Sequence, residues 1–324
     1  MHFELSEEQQ MIRQAVREFA EKEIAPRARH VDETGEFPAE TFKKMGELGL
    51  MGLPFPEEYG GAAADSISTA IAIEEVARAC GSTALAYAAH IGLGSAPIAL
   101  FGTEEQKRTY LKPAAEGRYM AAFGLTEPHA GSDAGATRTT ARLEGDEWVI
   151  NGSKLWITNA PVAGHIIITA VTDPQGGKNS ISAIIVPGGT PGMTFGKHEP
   201  KMGLRGSVST AISFEDVRVP KDNLLGERGR GFIQFLQVLD GGRIGIGAMA
   251  IGLAQDSFEA ARDYAKERTA FGKPIGSYES VSNMIADMAT NIEAARLMVY
   301  QAAWLKDQGR PFSKHAAMAK LFAS

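Results

Sequence analysis

Two short stretches carry residue types whose spacing could do chemistry. The first, "GLTEPHAGSD" at residues 124–133, fits a proline, two glycines, two hydroxyls and two acids into ten positions. Small residues with free backbone N–H groups let a loop approach a flat or phosphorylated ligand closely. Thr126 and Ser132 can donate or accept hydrogen bonds, and Pro128 fixes one bend. A bland surface turn has the same composition. The second, "LWITN" at 155–159, reads as a strand end. Strand alternation would put Trp156 and Thr158 on one face. An indole beside a hydroxyl suits a planar heterocycle, which stacks on the ring and bonds the hydroxyl through an edge nitrogen. A core tryptophan beside a threonine remains the alternative.

Three textures must position these stretches, which makes the fold class α+β. Residues 1–118 read as an N-terminal helical domain. Its first helix has a capping-box pattern at Ser6 and Gln9 and a stripe of Ile12, Val16 and Phe19. "PFPEEYGG" breaks the next helical run, and Thr103 is an expected N-cap. Residues 119–230 read as a middle antiparallel β domain of β-branched runs separated by turns. There, Asn-Gly at 151–152 is the expected hairpin turn. Residues 231–324 read as a C-terminal helical bundle, incomplete at its end. One long helix is expected from Phe232 to about Lys266, then "YESVSNMIADMATNIEAARLMVYQAAWLKDQG", then a third begun near Pro311.

The 324 residues carry a net charge of −6 and 44% hydrophobic residues, an ordinary globular balance. That charge argues against nucleic acid as a partner. No apolar run is expected to span a membrane, and nothing at the N-terminus resembles a targeting peptide, so a cytoplasmic location is the simple reading. The single cysteine, Cys80, is expected to be a buried structural thiol. No metal site is expected, because the seven histidines are scattered. His129 reads as a solvated loop position.

With "LTEPHAGSD", "WITNA", "KMGLRGS", "LDGGRIGIGAMAIGLAQ" and "ERTAFGKPI" in this order across the three textures, the chain closely resembles the acyl-CoA dehydrogenase family, and within it the short-chain (butyryl-CoA) dehydrogenases. The resemblance implies FAD as cofactor, with Phe123, Leu125, Thr126, Gly131 and Ser132 along it. Leu125 and Thr126 would meet the flavin's pyrimidine edge. Trp156 and Ile157 would flank the flavin, and Thr158 would bond its N5 side. Arg268 would reach the pyrophosphate, and Phe271 the adenine, of a neighbouring subunit's FAD. That implies a homo-oligomer, a dimer of dimers. Ser132, Asp240, Gly241, Gly242 and Arg243 would line the substrate. Two glycines inside a helix lose roughly 1 kcal/mol each, so a missing side chain there could leave room for a ligand.

The implied reaction is α,β-dehydrogenation of a short-chain acyl-CoA to the trans-2-enoyl-CoA, with electrons passed to an electron-transfer flavoprotein. The carboxylate that removes the α proton in this family matches no residue here. Position 242 is glycine, Glu127 lies in the flavin loop, and Asp240 is a helical step off the pocket. The chain stops on an apolar face without a cap, which reads as truncation, with the catalytic Glu expected beyond Ser324. Glu279 stands where the family usually has glutamine. Two other readings stay open: a non-catalytic flavin- or acyl-CoA-binding protein, and an oxygen-using oxidase relative.

Overall fold

The computed structural model describes residues 4–324, apart from the side chain of Lys178. Two compact units result. The first contains the residues through Arg29, Asp65–Leu85 and Arg243–Ser324; the second contains His30–Ala64 and Ala86–Gly242.

The first unit is helical. Its opening helix, Glu7–Phe19, begins with the expected capping box: the Gln9 N–H donates to Ser6 Oγ at 3.2 Å and the Ser6 N–H to Gln9 Oε1 at 3.1 Å. The helix Ser66–Ala79 carries two adjacent acids, Glu74 and Glu75, almost fully buried. Buried charge survives only when paired. Arg17 grips Glu75 with two bonds, at 3.0 and 2.8 Å, and Arg78 adds a third at 3.1 Å. Arg296 grips Glu74 at 3.1 and 2.9 Å, and the Tyr300 hydroxyl joins it at 3.3 Å. Cys80 caps that helix and is buried, as expected of a structural thiol. The helices Glu279–Asp307 and Ser313–Ala323, with Gly231–Glu267, whose residues from Arg243 onward belong to this unit, match the expected C-terminal pattern.

The second unit is built on an eight-stranded sheet. The strands are β1 (Met120–Gly124), β2 (Thr140–Glu144), β3 (Glu147–Thr158), β4 (Ala163–Val171), β5 (Ile181–Pro187), β6 (Met193–Phe195), β7 (Ser209–Pro220) and β8 (Leu224–Leu225). They run in the order β6-β7-β3-β2-β4-β5-β8, with β1 paired to β4. Trp148, Ile150, Ile166, Ile184 and Phe214 are among its buried core. The sheet is not wholly antiparallel as expected: β1 and β2 both pair β4 in parallel.

The Asn-Gly expectation is overturned. The β2–β3 hairpin turns at Gly145-Asp146, with Gly145 at φ +62°, and β3 continues through Asn151-Gly152. Local turn propensity lost to cross-strand bonding there. The Asn151 side chain bonds both Asp216 Oδ1 and the Asp216 N–H at 2.9 Å, and the register slips between Ile150 and Gly152. Gly152 is needed because a Cβ would lie 2.7 Å from Thr139 Cα.

The expectation about apolar runs is also corrected. Gly81–Phe101 is long and apolar enough to cross a membrane, with a mean hydropathy of 1.5. Of its most apolar 18-residue window, 61% is buried inside the protein. It contains His90, which has no exposed surface. His90 Nδ1 accepts the Ala121 N–H at 3.0 Å, and Nε2 lies 3.3 Å from the Met51 carbonyl. This arrangement fixes a neutral ring, because a protonated Nδ1 would face another donor. His165, equally buried, places Nε2 3.1 Å from the Gly94 carbonyl, between the edges of Tyr110 and Tyr119.

Burial pushes His90 down to about 3, with the neighbouring His165 adding to the shift, and pushes His165 down to about 4. The unfolded chain takes up these protons near pH 6.5 and the folded chain does not. Stability is therefore full above pH 6.5 and falls as the pH drops toward 4, by about 1.4 kcal/mol per unit for each ring. Urea midpoints between pH 7 and 5 should show this slope, and His165→Phe should reduce it by about half. An unchanged slope in that variant would contradict the assignment.

Candidate functional site

The loop 124–133 leaves the end of β1 and is held from beneath by β3. The Leu155 N–H donates to the Thr126 carbonyl at 2.8 Å. Lys154, with no exposed surface, spends its three N–H donors on the Leu125 carbonyl (3.2 Å), Glu127 Oε1 (2.7 Å) and Thr169 Oγ1 (2.9 Å). Glu127 is itself buried and accepts the Arg138 and Thr139 N–H groups at 2.8 and 3.1 Å. Reciprocal backbone bonds between Glu127 and Ala130, at 3.0 and 3.1 Å, close the turn over Pro128 and His129. His129 does more than face solvent, since its Nε2 lies 3.4 Å from Glu127 Oε2.

Burial draws Lys154 down to about 8 against the pull of Glu127. Burial would raise Glu127, but the Lys154 charge and hydrogen bond, with the two amides, hold it below the ordinary carboxylate range. Both groups are ionised at neutral pH. Glu127 is thus fully engaged and is not available as a catalytic base.

Trp156 departs from simple alternation. It sits in a bulge between Lys154 and Ile157, at φ +59°, a region that bulky residues rarely enter. Its indole is 61% exposed. Ile157 turns into the core at 3% exposure, and Thr158 returns to the more open side, its Oγ1 3.3 Å from Ser209 Oγ. The expected pairing of indole and hydroxyl on the outer side is therefore reached through a bulge and not through a regular pleat.

Phe123 stacks on Phe235, ring centroids 3.9 Å apart, so its ring is occupied within the protein. Gly131 and Ser132 are exposed, and a Cβ added at Gly131 would meet no atom within 4 Å. Asp240, Gly241 and Gly242 lie in the unbroken helix Gly231–Glu267, within the second unit; Arg243 falls in the first. A Cβ at Gly242 would come 3.1 Å from Leu93 Cδ2, so side-chain packing takes part of the space expected for a ligand. Arg268 and Phe271 also belong to the first unit, in the turn between the two long helices, and Phe271 is 97% exposed at φ +50°. Glu279, exposed, opens the second of these helices.

The arrangement fits a planar, phosphorylated cofactor. An exposed indole held in a strained conformation has no function within the chain's own packing. Nothing in the chain requires glycine at 131, where positive φ and crowding are both absent. Sequence reasoning missed Lys154 and Ser209. Lys154 meets a glutamate 27 positions away, and no spacing rule connects a strand lysine to a loop acid.

Comparison with known proteins agrees across the chain. Residues 6–118 match the family model described as acyl-CoA dehydrogenase, N-terminal domain; 122–217 match the middle domain and 229–324 the C-terminal domain. "Probable acyl-CoA dehydrogenase YngJ" of Bacillus subtilis is 61% identical over 325 residues, covering 100% of this chain and 86% of that protein. The short-chain specific acyl-CoA dehydrogenase of Clostridium acetobutylicum is 49% identical, covering 100% and 86%. Among solved structures, the butyryl-CoA dehydrogenase of Megasphaera elsdenii is 42% identical with a TM-score of 0.97, covering 100% of this chain and 85% of that one. A chain solved in work on the electron transferring flavoprotein of Acidaminococcus fermentans is 49% identical with a TM-score of 0.98 and the same coverage.

Breaking a buried ion pair by removing one partner typically loses about 3–5 kcal/mol. Lys154→Met should do so in chemical denaturation. Adding Glu127→Gln should recover part of the loss by neutralising the stranded carboxylate. A single-variant loss below about 1 kcal/mol would refute the role given to the pair.

Proposed function

The chain belongs to the acyl-CoA dehydrogenase family, and from that membership we propose that it catalyses FAD-dependent α,β-dehydrogenation of a short-chain acyl-CoA to the trans-2-enoyl-CoA. It is an oxidoreductase acting on acyl-CoA, and its cofactor is FAD. The observation that carries the reading is Trp156, an exposed indole held at φ +59° beside the Thr158 hydroxyl. Relatives named short-chain specific support the substrate class, and the Acidaminococcus neighbour supports an electron-transfer flavoprotein as partner.

FAD, when bound, supplies the two-electron acceptor for the hydrogen leaving the substrate's β carbon. In this reading Trp156 and Ile157 flank the flavin, and the Thr158 hydroxyl bonds its edge. Leu125 and Thr126 present backbone and hydroxyl groups to the pyrimidine side. Gly131 leaves the backbone open to the phosphates, with Ser132 between cofactor and thioester. Arg268 and Phe271 are proposed to serve a neighbouring subunit's FAD in a dimer of dimers, a role that suits the full exposure of Phe271. Asp240, Gly241, Gly242 and Arg243 are assigned to the substrate side. Domain limits near residues 118 and 230 belong to the same proposal.

The α proton needs a carboxylate beside it. None of the described residues is assigned that role, since Glu127 is locked to Lys154 and position 242 is glycine. An anaerobic visible spectrum of the FAD-loaded 324-residue chain tests this. Butyryl-CoA should perturb the flavin band as the acyl thioester seats beside the flavin. Bleaching would place a base among these residues, and no spectral response would refute the substrate assignment. Trp156→Ala should weaken FAD binding by about tenfold, roughly 1.4 kcal/mol, in a fluorescence titration.

A further inference from the structure

We propose that Ser209 is a positioning residue that fixes the direction of the Thr158 hydroxyl proton, and so tunes the affinity of oxidised FAD against reduced FAD. The inference rests on the cofactor reading above and concerns only this chain's own hydroxyls.

Thr158 on β3 and Ser209 on β7 are register partners in an antiparallel pair. Directly opposite residues share a face of the sheet. Their neighbours Ile157 and Thr210 are also partners and face the core, so Thr158 and Ser209 share the opposite face, where Thr158 is half-buried and Ser209 is buried beneath it. The two oxygens lie 3.3 Å apart, and either could donate. The register slip between Lys154 and Ile157 is over before this pair, so the pairing is regular at the hydroxyls.

Hydrogen-bond accounting decides the direction. A hydroxyl has one proton and two lone pairs. Ser209 is 8% exposed, and among the described residues its hydroxyl meets Thr158 alone. If Thr158 donated to Ser209, the Ser209 proton would be left without a partner in a nearly dry site. A stranded donor of that kind loses about 1–3 kcal/mol. Ser209 therefore donates to Thr158, and the Thr158 proton is turned outward, toward the side where Trp156 is exposed.

The consequence follows from the two forms of the cofactor. The flavin edge assigned to Thr158 accepts a hydrogen bond in oxidised FAD and carries a hydrogen in reduced FAD. The chain from Ser209 through Thr158 to an accepting edge satisfies every proton. Against a donating edge the Thr158 proton must turn away, and Ser209 already occupies the inward direction. The pair thus favours oxidised FAD.

The test compares Ser209→Ala and Ser209→Thr with the unaltered chain, each loaded with FAD. Midpoint potentials are read by dye equilibration, and oxidised-FAD affinity by flavin fluorescence. Ser209→Ala should weaken oxidised FAD about tenfold with little change for reduced FAD. The potential should then rise by about 30 mV, that tenfold converted for a two-electron couple. Ser209→Thr keeps a hydroxyl at the same register position and should restore both values. Equal weakening of both forms, or an Ala variant that matches the unaltered chain, would overturn the proposal. If Ser209→Ala fails to fold, Ser209→Cys, a weak donor, makes the same comparison and should shift the potential in the same direction. Should Trp156→Ala weaken FAD while Ser209→Ala has no effect, only the Ser209 role falls. If the unaltered chain binds no FAD, the cofactor reading falls and takes this role with it.

Discussion

A lysine ammonium with no access to water holds the functional loop to its sheet. Lys154 faces three acceptors at once, and two belong to the loop, the Leu125 carbonyl and the Glu127 carboxylate. Its position on β3 places the loop beside Trp156, because the next residue, Leu155, bonds the Thr126 carbonyl. One strand therefore supplies the anchor for the loop, the aromatic plate and the hydroxyl in five consecutive residues. The desolvation of two charges is offset only because every proton of Lys154, and two further amides on Glu127, find partners. A polar loop that would otherwise fray is fixed at the point where a ligand must meet it.

The first unit uses the same device for a different end. Glu74 and Glu75 are buried side by side on one helix; Arg17 and Arg296 from other helices clamp them, and Arg78 of their own helix adds a further contact to Glu75. Two like charges in adjacent positions would repel if left alone. Bidentate guanidinium contacts turn them into anchor points for helices distant in sequence. The glycines of the long helix serve packing as well. A Cβ at Gly252 would lie 2.2 Å from the Glu74 carbonyl, so that glycine permits close backbone approach to the acid-bearing helix.

Helices, their caps and the change from helical to β texture were legible because they depend on local patterns. The capping box at Ser6, the N-cap at Thr103 and the three C-terminal helices follow from spacing alone. Asn151-Gly152 misled because its turn preference competes with a partner 65 residues away, Asp216, which no local window contains. Lys154 was missed for the same reason. A lysine among buried strand residues has meaning only once Glu127 and Thr169 are seen around it. Trp156 and Thr158 were singled out for sound chemical reasons, but the alternation invoked to join them is broken by a bulge. Gly242 reads as a gap in sequence and is partly filled by Leu93 in space.

The backbone at Trp156 has a consequence for anyone redesigning this protein. Judged on the chain alone, the residue is poor at its position: an aromatic in a left-handed conformation, mostly wet. A sequence optimiser blind to ligands would install glycine or asparagine there, relieve about 1–3 kcal/mol of strain and report an improved fold. It would also remove the plate on which the cofactor is proposed to rest. Stabilisation campaigns on such a scaffold need a mask over positions that look like errors, and local strain at an exposed aromatic is a usable criterion for drawing it.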